Sequence, residues 1–203
     1  MMKPFLFLIT LCSFLISDTV YEKFPNGKVA FETTTNKDKS MVYKTYYLDG
    51  LLQSEVHYKD SKKDAIRTIY YKNGNIKSIE PHIGGKVNGL VMVYMADKKL
   101  HSESQYVDSK RQGTEKIYYS TGIVKDEYIY ENGKRNGVAK FYYKDGKLKS
   151  ELPYIENKIE GIAIKYYANG NVKEKVTFVQ GEEKGLKQLF DVKGNLLKET
   201  IQP

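Results

Sequence analysis

The sequence predicts an all-β protein: an elongated single-layer antiparallel sheet of tandem 24-residue β-hairpin repeats. Three observations predict it. An aromatic residue returns every 24 positions, at Tyr46, Tyr70, Tyr94, Tyr118, Tyr142, Tyr166 and Phe190. Asp-Gly or Asn-Gly follows at a fixed distance, at 49–50, 73–74, 145–146 and 169–170. Such pairs signal hairpins because they tolerate the positive φ of tight turns. The flanking runs alternate apolar and polar residues, which is the period of a strand.

The remaining marks hold the same phase. A second tyrosine follows the anchor at Tyr47, Tyr71, Tyr119, Tyr143 and Tyr167, with Met95 and Asp191 as exceptions. Four residues after the anchor stands Gly50, Gly74, Gly122, Gly146, Gly170 or Gly194, and only Lys98 departs. An aliphatic residue comes two positions later, from Leu52 to Leu196. A ring ends the second strand at Tyr58, Tyr106, Tyr130, Tyr154 and Phe178, with His82 in its place once. A further glycine precedes the next cycle at 89, 113, 137, 161 and 185. Self-similarity at a fixed period is the mark of a repeat architecture.

Val138–Tyr154 shows what one unit must look like. A two-residue loop at Asp145-Gly146 sets Tyr143 opposite Leu148. One face then carries Phe141, Tyr143, Leu148, Leu152 and Tyr154, and the other Lys140, Tyr142, Lys149 and Glu151, because strand side chains alternate. A one-residue bulge beside the glycine would shift this pairing. Glu131–Gly137 is the second loop, returning the chain to the next hairpin. Equivalent residues recur every second strand, roughly 10 Å apart. Tyr46 to Phe190 therefore form one aromatic column, and Tyr47 to Tyr167 a second on the opposite face.

In chain order, Met1–Ser17 joins one lysine to an apolar run from Phe5 to Ile16. That run is too short for an ordinary membrane span and fits a secretory leader cut near Ser17–Asp18. Cys12 offers a lipid-anchor alternative, against which stands Leu11, where a small residue is usual; an uncleaved anchor is a further alternative. Residues 18–203 then form one repeat domain of about seven to eight hairpins. Phe24–Val29 is a degenerate first copy suited to capping, and Thr33–Ser40 a polar loop. Ser61–Asp64 replaces the usual loop in the Tyr46 unit, and Pro81 marks an edge or bulged position. The Tyr94 unit is the least regular; the Tyr118, Tyr142 and Tyr166 units are the most regular.

YYKNGNIKS, YYKDGKLKSE and YYANGNVKE carry a resemblance: from about Phe24 to Glu199 the chain resembles the MORN-repeat variant family. MORN units of the original kind carry Trp, and this chain has none. The resemblance implies a β-hairpin sheet with a scaffolding or recognition role. Some bacterial relatives are labelled antitoxin components, and other MORN proteins are linked with membranes.

The residues give no chemistry to an enzyme. His57, His82 and His101 fall at different repeat phases, and the chain beyond the leader has no cysteine, so no thiolate metal site forms. No phosphate loop, dinucleotide fingerprint or nucleophile elbow occurs. Glu55, Glu103, Glu127, Glu151 and Glu199 share one phase and suit cross-strand pairing with lysine. No cofactor, small-molecule substrate or specific nucleic acid is expected. The net charge of +8 is interspersed, which suits a soluble surface and weak attraction to anionic lipid or polysaccharide.

The tyrosine columns carry the functional expectation. Stacked rings hold a single-layer sheet in register, and an uncovered aromatic face marks a partner site. The candidate face is Tyr47, Tyr71, Tyr119, Tyr143, Tyr167, Tyr106, Tyr130 and Tyr154, with a protein as the first expected partner and a location at or beyond the bacterial envelope. Mass spectrometry of the chain recovered from a secreting host should give an N-terminus at Asp18; retention of Met1, or a lipidated Cys12, contradicts this.

Overall fold

The computed structural model describes residues 17–59 and 64–203. The expected leader, with Cys12, lies outside the described residues apart from Ser17, which opens the first strand; Ser61, Lys62 and Lys63 lie outside them too. The chain divides into two units, Met1–Lys86 and Val87–Pro203. Among the described residues every regular element is a strand.

In the first unit, strands Ser17–Lys23, Val29–Asn36, Met41–Tyr46, Leu52–Tyr58, Ala65–Tyr70 and Ile76–Ile83 pair antiparallel, each with the next. In the second, Gly89–Tyr94, Leu100–Val107, Lys110–Tyr118, Val124–Glu131, Gly137–Tyr142, Leu148–Ile155, Gly161–Tyr166, Val172–Val179, Glu182–Phe190 and Leu196–Gln202 do the same. Their β-branched and aromatic residues suit a pleated, half-buried surface. The all-β, antiparallel hairpin-repeat fold class expected from the sequence is the one found.

The turns correct the expected register. The loop after Tyr143 holds three residues, Lys144 to Gly146, and not two. Tyr143 N–H donates to the Lys147 carbonyl at 2.8 Å, and Gly146 N–H donates to the Tyr143 carbonyl at 2.9 Å. Gly146 takes φ +84°, and Asp145 Oδ1 accepts from Lys147 N–H at 3.1 Å. Tyr142 then pairs with Leu148 while Phe141 pairs with Ser150, so Lys149 is bulged out. The same shift stands at Tyr46, Tyr70, Tyr94, Tyr118, Tyr166 and Phe190.

Two placements change as a result. Leu148 shares a face with Tyr142, and Lys149 lies with Tyr143, its Nζ 5.9 Å from that ring's centroid. The reason is the added αL glycine together with the bulge, since each extra residue turns every later side chain of the strand to the other face. The two-residue turn with positive φ at both centres does occur, but in the second loop. Asn132 and Gly133 have φ of +52° and +84°, and Glu131 pairs with Lys134. Asn-Gly there matches the right-handed twist of the flanking strands.

The buried side chains lie on one face in each unit. In the second these are Ser104, Glu115, Asp126, Tyr130, Ala139, Ala163 and Val176, linked by cross-strand register. In the first they are Ser54, Ala65 and Ser78. Ala139 is the most covered at 1% exposed, and no large side chain is fully buried among the described residues. Tyr128 meets Phe141 edge-on at 5.6 Å between ring centres, and Tyr130 at 6.4 Å. Replacing Gly146 with valine forces a β-branched side chain into the αL region. This should cost about 1–2 kcal/mol, read as a lowered midpoint in urea; an unchanged midpoint contradicts the turn geometry.

Candidate binding surface

Alternation along the strands puts the candidate tyrosines on the face that also holds the buried small residues. In the second unit Tyr106, Tyr130 and Tyr154 share it with Ala139 and Phe141, and Tyr119, Tyr143 and Tyr167 continue it past the strand ends. In the first unit Tyr47 lies with Tyr43, Tyr58 and Ala65 around one concavity, and Lys77 Nζ stands 5.8 Å over the Tyr71 ring.

Most of these phenols already have work within the fold. Tyr119 Oη donates to the Tyr142 carbonyl at 2.7 Å, Tyr143 Oη to Tyr166 at 2.8 Å, and Tyr167 Oη to Phe190 at 2.8 Å. Tyr47 Oη reaches the Tyr70 carbonyl at 3.2 Å in the first unit. Each bond crosses 23 residues, so the second tyrosine of each pair ties its hairpin to the next one. Tyr106, Tyr130 and Tyr154 sandwich two arginines instead. The Arg111 guanidinium lies 5.8 and 5.2 Å from the Tyr106 and Tyr130 rings; Arg135 lies 4.1 and 5.5 Å from Tyr128 and Tyr154. Cation–π contacts of this kind contribute about 0.5–2 kcal/mol. Arginine at 111 and 135, one repeat apart, was a readable signal beside the tyrosines.

The opposite face holds a second ladder. Tyr118 Oη donates to Glu103 at 2.7 Å, Tyr142 to Glu127 at 2.8 Å and Tyr166 to Glu151 at 2.7 Å. Tyr70 does the same to Glu55. Of the recurring glutamates, expected to pair with lysine, Glu55, Glu103, Glu127 and Glu151 thus accept from the tyrosine 15 residues ahead, and Glu199 accepts from Gln188 Nε2 at 2.7 Å. Lysines stand opposite them in register, as Lys140 does to Glu151, but the phenol makes the bond. Among the described residues no group of three His, Cys, Asp or Glu side chains converges on a metal-sized space.

A feature not read from the sequence lies beyond this ladder, in the second unit. Cross-strand pairs Leu90–Gln105, Thr114–Ile129, Val138–Pro153, Ile162–Thr177 and Leu186–Ile201 line up on the face opposite the buried residues. None is charged, in a chain of 29% charged residues. Leu90, Ile129, Val138, Ile162 and Leu186 are each 40–56% exposed. The join between hairpins is close: a side chain at Gly137 would meet Ile129 at 3.0 Å, and one at Gly161 would meet Pro153 at 3.5 Å. The signal was legible as the aliphatic residue directly after the second-loop glycine, at 90, 138, 162 and 186.

Burial comes first, and the bond to glutamate second, in pushing the phenols of Tyr46, Tyr70, Tyr118, Tyr142 and Tyr166 up to about 12. A phenol whose folded pKa exceeds its unfolded value of about 10 stabilises fully below pH ~10. That contribution is lost as pH climbs from about 10 through about 12. Ultraviolet titration should therefore show at least five late-ionising tyrosines, with β circular dichroism lost in that window. Tyr142→Phe should remove one and cost about 1 kcal/mol; ordinary ionisation of all tyrosines with the fold intact contradicts the ladder.

No curated protein matches the chain. Among solved structures it is similar to the TCP10 domain of Danio rerio CPAP, solved in complex with a peptide of Danio rerio STIL. Identity is 13% over 91% of this chain and 100% of that one, at a TM-score of 0.31, a likeness too slight to carry an argument. The MORN repeat variant matches at residues 39–60, 63–83, 111–134, 135–156 and 159–180, more than half of the chain and in phase with the hairpins described above. This chain belongs to the MORN repeat variant family.

Proposed function

We propose that this protein is an exported, non-enzymatic scaffold that binds a protein partner at the bacterial envelope. MORN repeats are binding modules for proteins or membrane lipids. The observation that carries the protein reading is the uncharged aliphatic band of the second unit. Depletion of charge around exposed aliphatic residues is the compositional signal of a protein interface core. The charged row of Glu103, Lys116, Glu127, Lys140 and Glu151 runs beside it as a polar rim. The apolar run Phe5–Ile16 supports export. The engagement of the recurring glutamates by phenols supports a structural, not catalytic, use of those acids.

A second reading, peripheral attachment to an anionic membrane or polymer, rests on Lys149 and Lys173. Their Nζ atoms stand 5.9 and 5.5 Å over the Tyr143 and Tyr167 rings, with no carboxylate partner among the described residues. Salt separates the readings, because apolar docking survives about 1 M salt, where the screening length is about 3 Å.

Affinity capture with the purified protein as bait, followed by a binding titration with the captured protein, tests the first reading. Val138→Glu and Ile162→Glu should each weaken binding about tenfold or more without changing the melting curve. Loss of binding in salt, or full binding by both variants, contradicts it.

A further inference from the structure

The first unit holds a concavity of about 690 Å³ on its tyrosine face. Its origin lies in the sequence. Ser54, near the start of Leu52–Tyr58, and Ala65, which opens the neighbouring Ala65–Tyr70, have small side chains, and both are buried and line it. Tyr43, Tyr47 and Tyr58 rise around them as walls. The volume lies within the range of sites that enclose small ligands. It is independent of the apolar band, which belongs to the second unit.

Three basic side chains line it, Arg67, Lys77 and His82, and no carboxylate does among the described residues. Glu80 lies beside two of them, 3.8 Å from Arg67 and 3.9 Å from His82, which leaves the site a surplus of positive charge. Arg67 and Lys77 are both exposed, Arg67 beside Glu80 and Lys77 over the Tyr71 ring. Their ammonium and guanidinium groups suit a carboxylate, for which arginine offers a two-pronged donor.

The rest of the lining says what carries that carboxylate. Tyrosine rings give flat apolar surfaces, Gln53 gives an amide, and Thr45 and Ser54 give two hydroxyls that hydrogen-bond each other at 2.7 Å and keep further lone pairs to accept with. The main chain below is committed to ladder hydrogen bonds, so an extended peptide finds no free strand edge to pair with. Recognition here comes from side chains: aromatic faces, hydroxyls, an amide and exposed cations.

We propose that this concavity binds an acidic saccharide, a uronic-acid-type sugar chain of roughly two or three rings. Its carboxylate sits against Arg67 and Lys77, and its sugar faces lie on Tyr43, Tyr47 and Tyr58. The occupant is a segment of a carboxylated polysaccharide, whose ring faces suit the three tyrosines and whose hydroxyls suit Thr45, Gln53 and Ser54.

Isothermal calorimetry of the purified protein with trigalacturonate, maltotriose and hexaglutamate tests this. Trigalacturonate should bind saturably, with the neutral and peptide probes at least about tenfold weaker. Arg67→Gln and Lys77→Gln, exposed changes that leave the fold intact, should each cost about tenfold in affinity. Ala65→Leu, which fills space in the concavity, should abolish binding while circular dichroism stays β. Equal binding of hexaglutamate shows an unselective cationic surface and overturns the proposal. So does equal binding of maltotriose, no saturable binding, or unchanged affinity in both charge variants. Capture of a protein partner through the apolar band is unaffected by any of these outcomes.

Discussion

A single-layer sheet has no second layer to cover its side chains, so its hairpins must be held by what passes between neighbours. In this protein the tie is the paired tyrosine at each hairpin start. At Tyr142-Tyr143 the first phenol reaches back to Glu127 and the second reaches forward to the Tyr166 carbonyl. Two adjacent residues on opposite faces thus join three consecutive hairpins. A lone hairpin is marginal in water, and a repeat array becomes stable through such neighbour terms. The second loops add to them: Gly133 N–H donates to the Arg111 carbonyl at 2.9 Å and Asn157 N–H to Arg135 at 3.0 Å, each 22 residues back.

This arrangement divides labour between the faces. One is packed, with small residues at its centre and tyrosines and arginines leaning over them. The other is split into a row of phenols, a row of alternating charge whose glutamates accept from them, and an uncharged aliphatic row. The tyrosines that looked most like a partner site in the sequence are the ones most committed to the fold. The aliphatic row, by contrast, leaves Leu90, Ile129, Val138, Ile162 and Leu186 each 40–56% exposed.

The fold was legible because period, turn glycine and alternation all agree, and agreement across levels is what specifies a structure. The register was not. Asp145-Gly146 has the composition of a two-residue turn, yet its glycine occupies the αL position that closes a three-residue loop, and nothing in the dipeptide distinguishes these uses. A bulge beside the glycine was open from the sequence, but its place at Lys149 was not legible, because bulging depends on where the loop ends. The glutamates were legible as a column but not as phenol acceptors, because that pairing depends on which face each strand turns inward. The last copy records the rule in negative. Phe190 has no hydroxyl, and the position 15 residues before it is Lys175, whose Nζ lies 5.8 Å over that ring. The binding surfaces were the least legible part, since exposure of Ile162 or the depth beside Ser54 arises only from the folded sheet.

The tyrosine and loop-to-loop ties between hairpins span 15 or 20 to 23 residues, and ion pairs such as Lys187–Glu174 span fewer, so none of these reaches past the adjoining copy. Growth of such an array is therefore free of any closure requirement. A gene segment encoding one whole copy can be duplicated or dropped in the interior, and the new junction meets the same donors and acceptors as the old. Reach, and with it the count of contacts a partner can engage, becomes a quantity that evolution adjusts in whole steps without redesigning a joint.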